Sequence, residues 1–511
     1  MLTNLKALVV IVVLAFAVFH LARRFCVQFM SEGTFDRRRN IWFALTIVAF
    51  LSPSFWLYAA FALGLLYWST ARDENPLALY VLVTFTVPNV HFYIPGVVFQ
   101  QLFDLTQYRI LSLAILIPAV FQMWKHSPGS PSNRLKLVDV VLIAFLLLQV
   151  VLLMPYESLT NTMRRTFLII LDTYLVFYVF SRISEKGKMA DVLVCFWLSC
   201  ALMAPVAIFE WAKGWLLYTE LASAWGDPNV FAWIFRDGSV RAQAATDHSL
   251  NLGYVLAVGL GFFLYLRNRV TSAALSWLAI AVFSVGIFAS GSRGAWITAA
   301  LVVLIFVLVR PDSGRQLAKV AVFSAVVVAV MYMTPLRESV IDRLPIIGTT
   351  DQDTVIYRQQ LADASWPLIR LNPFFGDPFV YLRMEALRQG QGIIDIVNGY
   401  LFTALFTGLV GFGLQVSVLA ISIFHGGSAL VRARRFDADL GSMGAALLST
   451  LLASLFFIAA AGYSTTTYIL AGLLMAYATI VARQARNVAL ARDEVSDKSS
   501  VTSSKRLSTN P

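Results

Sequence analysis

Arg293 stands in the stretch "ASGSRGAWI", residues 289–297, among small residues and between two long apolar runs. An ionised guanidinium is expensive at the edge of hydrocarbon, so its position calls for an anion or a route to water. Arg241 lies in "DGSVRAQAATDHSLNLG", a few residues before another apolar run. Guanidinium stays charged in partly desolvated places and grips phosphate oxygens through paired, charge-assisted hydrogen bonds. Gly291 and Gly294 leave room beside the backbone, and a helix starting near Gly294 adds a favourable dipole for an anion. Arg241 and Arg293 together have the chemistry of a phosphate or diphosphate clamp. A single such arginine has an alternative use as a headgroup anchor.

The elements that must position them are membrane helices. With 58% hydrophobic and only 14% charged residues, and a mean hydropathy of +0.72, the chain falls far from the roughly 25% charged typical of soluble domains. This predicts an all-α polytopic membrane protein, a bundle of about 12–15 transmembrane helices with two larger exterior loops. Apolar runs occupy 5–22, 41–52, 54–70, 76–90, 109–124, 136–154, 166–182, 189–211, 248–267, 272–290, 294–309, 317–334, 398–424, 440–461 and 464–482. The second and third share Ser52-Pro53, which predicts a hairpin or one kinked helix. The first run has no small-residue cleavage pattern and reads as a retained helix rather than a removed signal peptide. Cys26, Cys195 and Cys200 lie in or beside apolar runs and read as packing residues.

The net charge of +11 is sorted by loop rather than spread. Arg23, Arg24 and Arg37 to Arg39 fall on one side, with Lys125, Arg134, Lys136, Arg182, Lys186, Lys188, Arg267, Arg269, Arg310, Arg315, Lys319, Arg432, Arg434 and Arg435. The positive-inside rule assigns that side to the cytoplasm, so topology explains the charge and nucleic acid is not expected as a partner. The other side holds the long loops 212–247 and 335–397. The expected division is 1–237 for N-terminal helices, 238–482 for a membrane core including exterior loop 335–397, and 483–511 for a disordered cytoplasmic tail. Loop 335–397, with Trp366, Phe374, Phe375, Tyr381 and "SWPLIRL", suits amphipathic helices at the interface or over a cavity. Residues 91–109 read as an exterior re-entrant or interfacial segment. Exterior loops normally carry few cations, yet this side has Arg236, Arg241, Arg293, Arg343, Arg358, Arg370, Arg383 and Arg388, which points to an anionic ligand.

Four motifs in order, "VRAQAATDHSLNLGYVLA", "GIFASGSRGAWITAALVVLIFVL", "IYRQQLADASWPLIRLNPFFGDP" and "DIVNGYLFTALFTGLVGFGL", resemble the core of the O-antigen ligase and polymerase family over about residues 238–415. The resemblance implies a bacterial inner-membrane, multi-pass glycosyltransferase acting on the periplasmic face without nucleotide sugars. Its donor would be an undecaprenyl-diphosphate-linked oligosaccharide and its acceptor another lipid-linked glycan or, in ligases, the lipid A core. Membrane lipids and polysaccharide export machinery would be its other partners. Arg293 and Arg241 would then neutralise the departing diphosphate, with Arg358 as a further arm. Tyr357, Asn398 and Tyr400, in the same motifs, become candidate substrate contacts.

Val397 stands where ligases of the family are expected to have His, and Phe406 where many relatives carry an acidic residue. Valine cannot take a proton from an acceptor hydroxyl, which tilts the reading from ligase to polymerase. Candidate bases are Asp395 and His248, then Asp377, Glu385 and Asp247; each of the first two could equally cap a helix. "DQD" at 351–353 reads as a solvated loop, and His20, His91, His126 and His425 lack ligand spacing, so neither metal nor cofactor is expected. A transporter of a lipid-linked or anionic solute is the competing class, but it should carry charge at mid-membrane depth, where Asp172 is the main exception to apolar helix centres. A scaffold in an export complex would need no arginines at helix mouths.

Overall fold

The computed structural model describes residues 2–88, 90–93, 104–126, 135–226, 234–236, 238–246, 248–270, 272–310, 314–315, 352–388 and 394–507. The expected run 317–334, and Arg134, Asp247, Lys319, Arg343 and Asp351, lie outside the described residues.

Helices α1 (Leu2–Cys26), α2 (Glu32–Leu51) and α3 (Phe55–Thr70) open the fold, followed by the buried half-length α4 (Pro76–Thr84). Helix α5 (Gln107–Leu111) continues through a π turn at Ser112–Leu116 into α6 (Ile117–His126). Then come α7 (Leu137–Leu153) and α8 (Leu159–Ile169), the latter continuing through a π turn at Ile170–Tyr174 into α9 (Leu175–Phe180). The remainder is α10 (Lys186–Lys213), α11 (Thr219–Trp225), α12 (Ser249–Leu266), α13 (Ala273–Ala289), α14 (Arg293–Leu308), α15 (Gln352–Leu371), α16 (Gly399–Ala433), α17 (Ala438–Ala460) and α18 (Thr465–Leu507). Among the described residues, six helices are long and apolar enough to cross a membrane and four more are apolar but shorter. Two short antiparallel hairpins, His91–Tyr93 with Asp104–Thr106 and Phe235–Arg236 with Ser239–Val240, are the strands among the described residues.

Local chemistry starts these helices where they start. Ser31, Ser54, Ser158, Ser272, Ser292, Asn398 and Asp437 each accept a hydrogen bond from a first-turn N–H and so cap the helix that follows. Small residues let the helices close together: a Cβ on Gly261 would fall 2.4 Å from Thr450, and one on Gly426 2.3 Å from Leu474.

Loops of the cation-bearing set meet at one end of the bundle. Arg38 donates to Asp73 (2.6 Å) just beyond α3 and to Asp191 (2.6 Å) near the start of α10. Arg38 and Asp73 thereby bring the start of α2 and the end of α3 together, so residues 41–70 form a hairpin around Pro53. Arg182 pairs with Asp139 at 2.7 Å, and Lys186 with Asp437 at 2.7 Å. Arg38 and Arg182 are thus buried and paired rather than solvated loop cations. At the opposite end Trp225 donates to the Ser52 carbonyl, Arg241 to that of Ser290, and Arg358 to that of Ala460.

Helix α16 is interrupted at Gly408 (φ 64°, ψ −170°). The "NPFFG" loop fills the break: Leu409 N–H donates to Pro373 (2.8 Å), Val410 N–H to Phe374 (3.1 Å) and Asp377 N–H to Leu405 (2.8 Å). A Cβ on Gly408 would lie 2.3 Å from the Phe374 backbone, so glycine is required by both conformation and space. The tail expected to be disordered from 483 instead continues α18 to Leu507. Its first part, "RQARNVALAR", is rich in Ala and Arg, which favour helix, and neither Gly nor Pro interrupts it before Pro511.

Candidate active site

The site lies at the end opposite the buried ion pairs, where the α13–α14 turn, the loop before α12, α15 and the loop before α16 converge. Gly291 (φ 59°) makes the turn, and Ser292 caps α14 by accepting from Ala295 N–H at 3.3 Å. Arg293 is therefore the first residue of a 16-residue helix, beside its N–H groups and the positive end of its dipole. Arg241 lies across the same turn. Its Nε donates to the Ser290 carbonyl at 3.1 Å, and its Cγ and Nε lie 3.0 and 3.3 Å from where a Cβ on Gly291 would be. The absent side chain at 291 is what admits Arg241.

A buried carboxylate holds the Arg241 loop. Glu210, near the end of α10, accepts from Leu217 N–H (3.0 Å), Gln243 N–H (2.9 Å) and Ala244 N–H (2.8 Å). It is fully buried, and Ala244 has a positive φ of 46° in that loop. Glu210 escaped the sequence reading. The available signal was an acidic residue, in "IFEWAKG", closing the uncharged stretch 192–209 of that helix.

The turn also meets the third arginine. A Cβ on Gly294 would touch that of Ala460 at 3.3 Å, and the Ala460 carbonyl accepts from Arg358 Nη2 at 2.9 Å. Tyr357 OH donates to the Asp395 carbonyl (2.9 Å) and accepts from Asp395 N–H (3.1 Å), fixing the 394–398 loop on α15. Asp395 is exposed on a crowded rim. The surrounding protein raises its pKa above the usual aspartate value, while the nearby charges of His248 and Arg358 pull it back down. His248 also accepts from Leu250 N–H through Nδ1 at 3.2 Å, capping α12. Arg241, Arg293, Arg358, His248, Asp395 and Tyr357 thus come to one end of the bundle.

Asn398 and Tyr400 serve the fold there. Asn398 Oδ1 accepts from Tyr400 N–H (3.0 Å) and Leu401 N–H (3.2 Å), and Tyr400 OH donates to the Leu455 carbonyl (3.0 Å). Val397 packs on the small cluster of Leu361, Ile369, Val380 and Leu405, so an apolar side chain has a use at that position. Other expected arginines stay local: Arg388 pairs with Glu385, Arg383 with Asp377, and Arg370 lies over the Trp366 ring. The side chain of Arg236 lies outside the described residues. Those pairings also occupy the candidate bases Asp377 and Glu385.

Fold and cluster define a multi-pass helical membrane protein with converging arginines at one end. Residues 277–416, from α13 into α16, match the family model described as O-antigen ligase. That match supports the resemblance to the O-antigen ligase and polymerase family and a glycan-transfer role of that type in surface polysaccharide assembly. No curated protein matches the chain.

Proposed function

We propose that the chain is a periplasm-facing polymerase of lipid-linked glycan repeat units, drawing on an undecaprenyl-diphosphate-linked donor in the bacterial inner membrane. The observation that carries this reading is the packing of Arg241 on Gly291, two residues from Arg293 at the mouth of α14. An acceptor hydroxyl attacks the donor's anomeric carbon, and the carbon–oxygen bond to the diphosphate breaks with its electron pair on the leaving group. Arg241, Arg293 and Arg358 neutralise the charge that develops there. The acceptor's proton passes to the Asp395 carboxylate, with His248 beside it. Asn398 and Tyr400 keep the entrance in shape.

Transfer to lipid A core or another final acceptor, as in a ligase, is the second reading, favoured by the description of the family the matched residues fall in. Deleting the gene and analysing glycan products separates the two. Loss of a polymerase leaves single repeats on the final acceptor; loss of a ligase leaves long chains on the lipid carrier, and that result would overturn the first reading. Cations at the opposite end support the orientation, which a cysteine introduced at position 395 would test by labelling from the periplasm.

A further inference from the structure

A cavity adjoins the arginine cluster. About 460 Å³ of space lies between α7, the π turn of α8–α9, the 378–381 loop, α16 and the start of α18. Tyr463 and Ser464 line it, and the same turn reaches the cluster, because Ser464 bonds Asn251 in the first turn of α12 and Tyr463 packs edge-on against Tyr400. A second space of about 240 Å³ shares Asp172 and Thr465 with the first, and there Arg109 holds Asp172 at 2.7 Å.

The lining decides what could occupy it. Gln149 on α7 and Gln415 on α16 stand within membrane helices, where an amide is costly unless it serves a partner or a cavity. Gln415 is tied into the wall, accepting from Thr403 Oγ1 (3.0 Å) and donating to Tyr468 OH (3.1 Å). Phe402 and Tyr381 offer aromatic faces. By contrast, the groove of about 250 Å³ between α1, α10 and α13 is lined by Leu, Ala, Val and Phe with a single Trp and Pro, as suits an acyl or prenyl chain. A pocket combining aromatic faces, amides and hydroxyls suits a ring bearing many hydroxyl groups. A π turn forms one wall, a distortion that recurs at functional sites.

We infer that this cavity is a sugar-binding subsite for the uncharged rings of the glycan, separate from the diphosphate clamp. The inference rests on the glycan-transfer reading above. Its α7 and π-turn wall lies outside the matched residues 277–416, whereas its α16 wall lies inside them. Gln149 on α7 and Tyr381 on the 378–381 loop stand on different walls of the cavity, so recognition of the ring's hydroxyls and faces falls to both.

The test uses purified full-length protein in lipid nanodiscs and two probes. One is the lipid-free repeat oligosaccharide released by mild acid from the host's own lipid-linked intermediate; the other is geranylgeranyl diphosphate, which has no sugar. Gln149→Leu and Tyr381→Ala are each expected to weaken oligosaccharide binding about tenfold, the loss of one good contact, and to leave geranylgeranyl diphosphate unaffected. Arg293→Ala should do the reverse. Tyr381 is on a loop and partly exposed, so its variant remains folded if the helix substitution is not tolerated. Oligosaccharide that fails to bind the wild type, or binds both variants as well as the wild type, overturns the subsite. Weakening of geranylgeranyl diphosphate alone would make the cavity a prenyl site and also overturn it. If the oligosaccharide binds and the diphosphate does not, the subsite stands and the clamp fails. Competition by intact donor then tells donor sugars from acceptor sugars.

Discussion

Gly291→Ala isolates the coupling between the two arginines without removing either. Residue 291 has a φ of 59°, a left-handed conformation that costs a non-glycine residue about 1–2 kcal/mol. The new methyl would lie 3.0 Å from Arg241 Cγ and 3.3 Å from Nε, against about 3.5–4.0 Å for an ordinary contact, so the guanidinium must move by about 0.5 Å or more. Displacements near 1 Å at a reacting centre can cost about 100-fold, and a charge-assisted hydrogen bond contributes about 1.5–3 kcal/mol. The expected result is a 10- to 100-fold fall in glycan transfer by protein that still accumulates in the membrane. Gly294→Ala is the control: its Cβ meets the Ala460 methyl at 3.3 Å and the Ser292 hydroxyl at 3.9 Å, on a helix that favours alanine, so its loss should be far smaller. Transfer is followed as lipid-linked repeats converted to longer chains in nanodiscs. Wild-type rate in Gly291→Ala alongside an inactive Arg241→Ala would refute the claim that the turn sets the arginine's position.

Three further outcomes follow. Arg38→Ala leaves Asp73 and Asp191 buried without their guanidinium and should destabilise the protein by about 3–5 kcal/mol, read as a lowered midpoint in detergent melting. Glu210→Gln removes a carboxylate that accepts three backbone N–H groups, costing about 1–3 kcal/mol locally; donor affinity should fall although no ligand contact is lost, and unchanged affinity would contradict its positioning role. The raised pKa of Asp395 means that its basic form is lost on acidification at a higher pH than for an ordinary aspartate. Transfer should therefore decline on acidification at a higher pH than the usual aspartate value of about 3.9 allows, and Asp395→Asn should abolish that limb together with most of the activity; an unchanged profile in the variant would exclude Asp395 as the base.

Much of this was legible in the sequence because it is written in short-range chemistry. Apolar runs located most of the helices, the sorting of cations by loop showed which helix ends lie together, and small residues around Arg293 marked a turn that could admit a ligand. What was not legible depends on long separations. Arg38 reads as one more loop cation until Asp191 is found 153 residues away. Glu210 is an isolated acid until the Arg241 loop folds onto it. The "NPFFG" stretch reads as part of an interfacial or cavity-capping loop, yet its carbonyls serve the break at Gly408, and only the folded chain brings the two together. The cavity beside the cluster is lined from both halves of the chain, so no single stretch announces it.

The central claim is that Arg241 and Arg293 hold a lipid diphosphate. The most direct measurement is the affinity of purified protein in nanodiscs for undecaprenyl diphosphate, compared with undecaprenol, in wild type, Arg241→Ala and Arg293→Ala. The account predicts that the wild type prefers the diphosphate and that each variant loses that preference while remaining folded. Equal preference in all three proteins would contradict it.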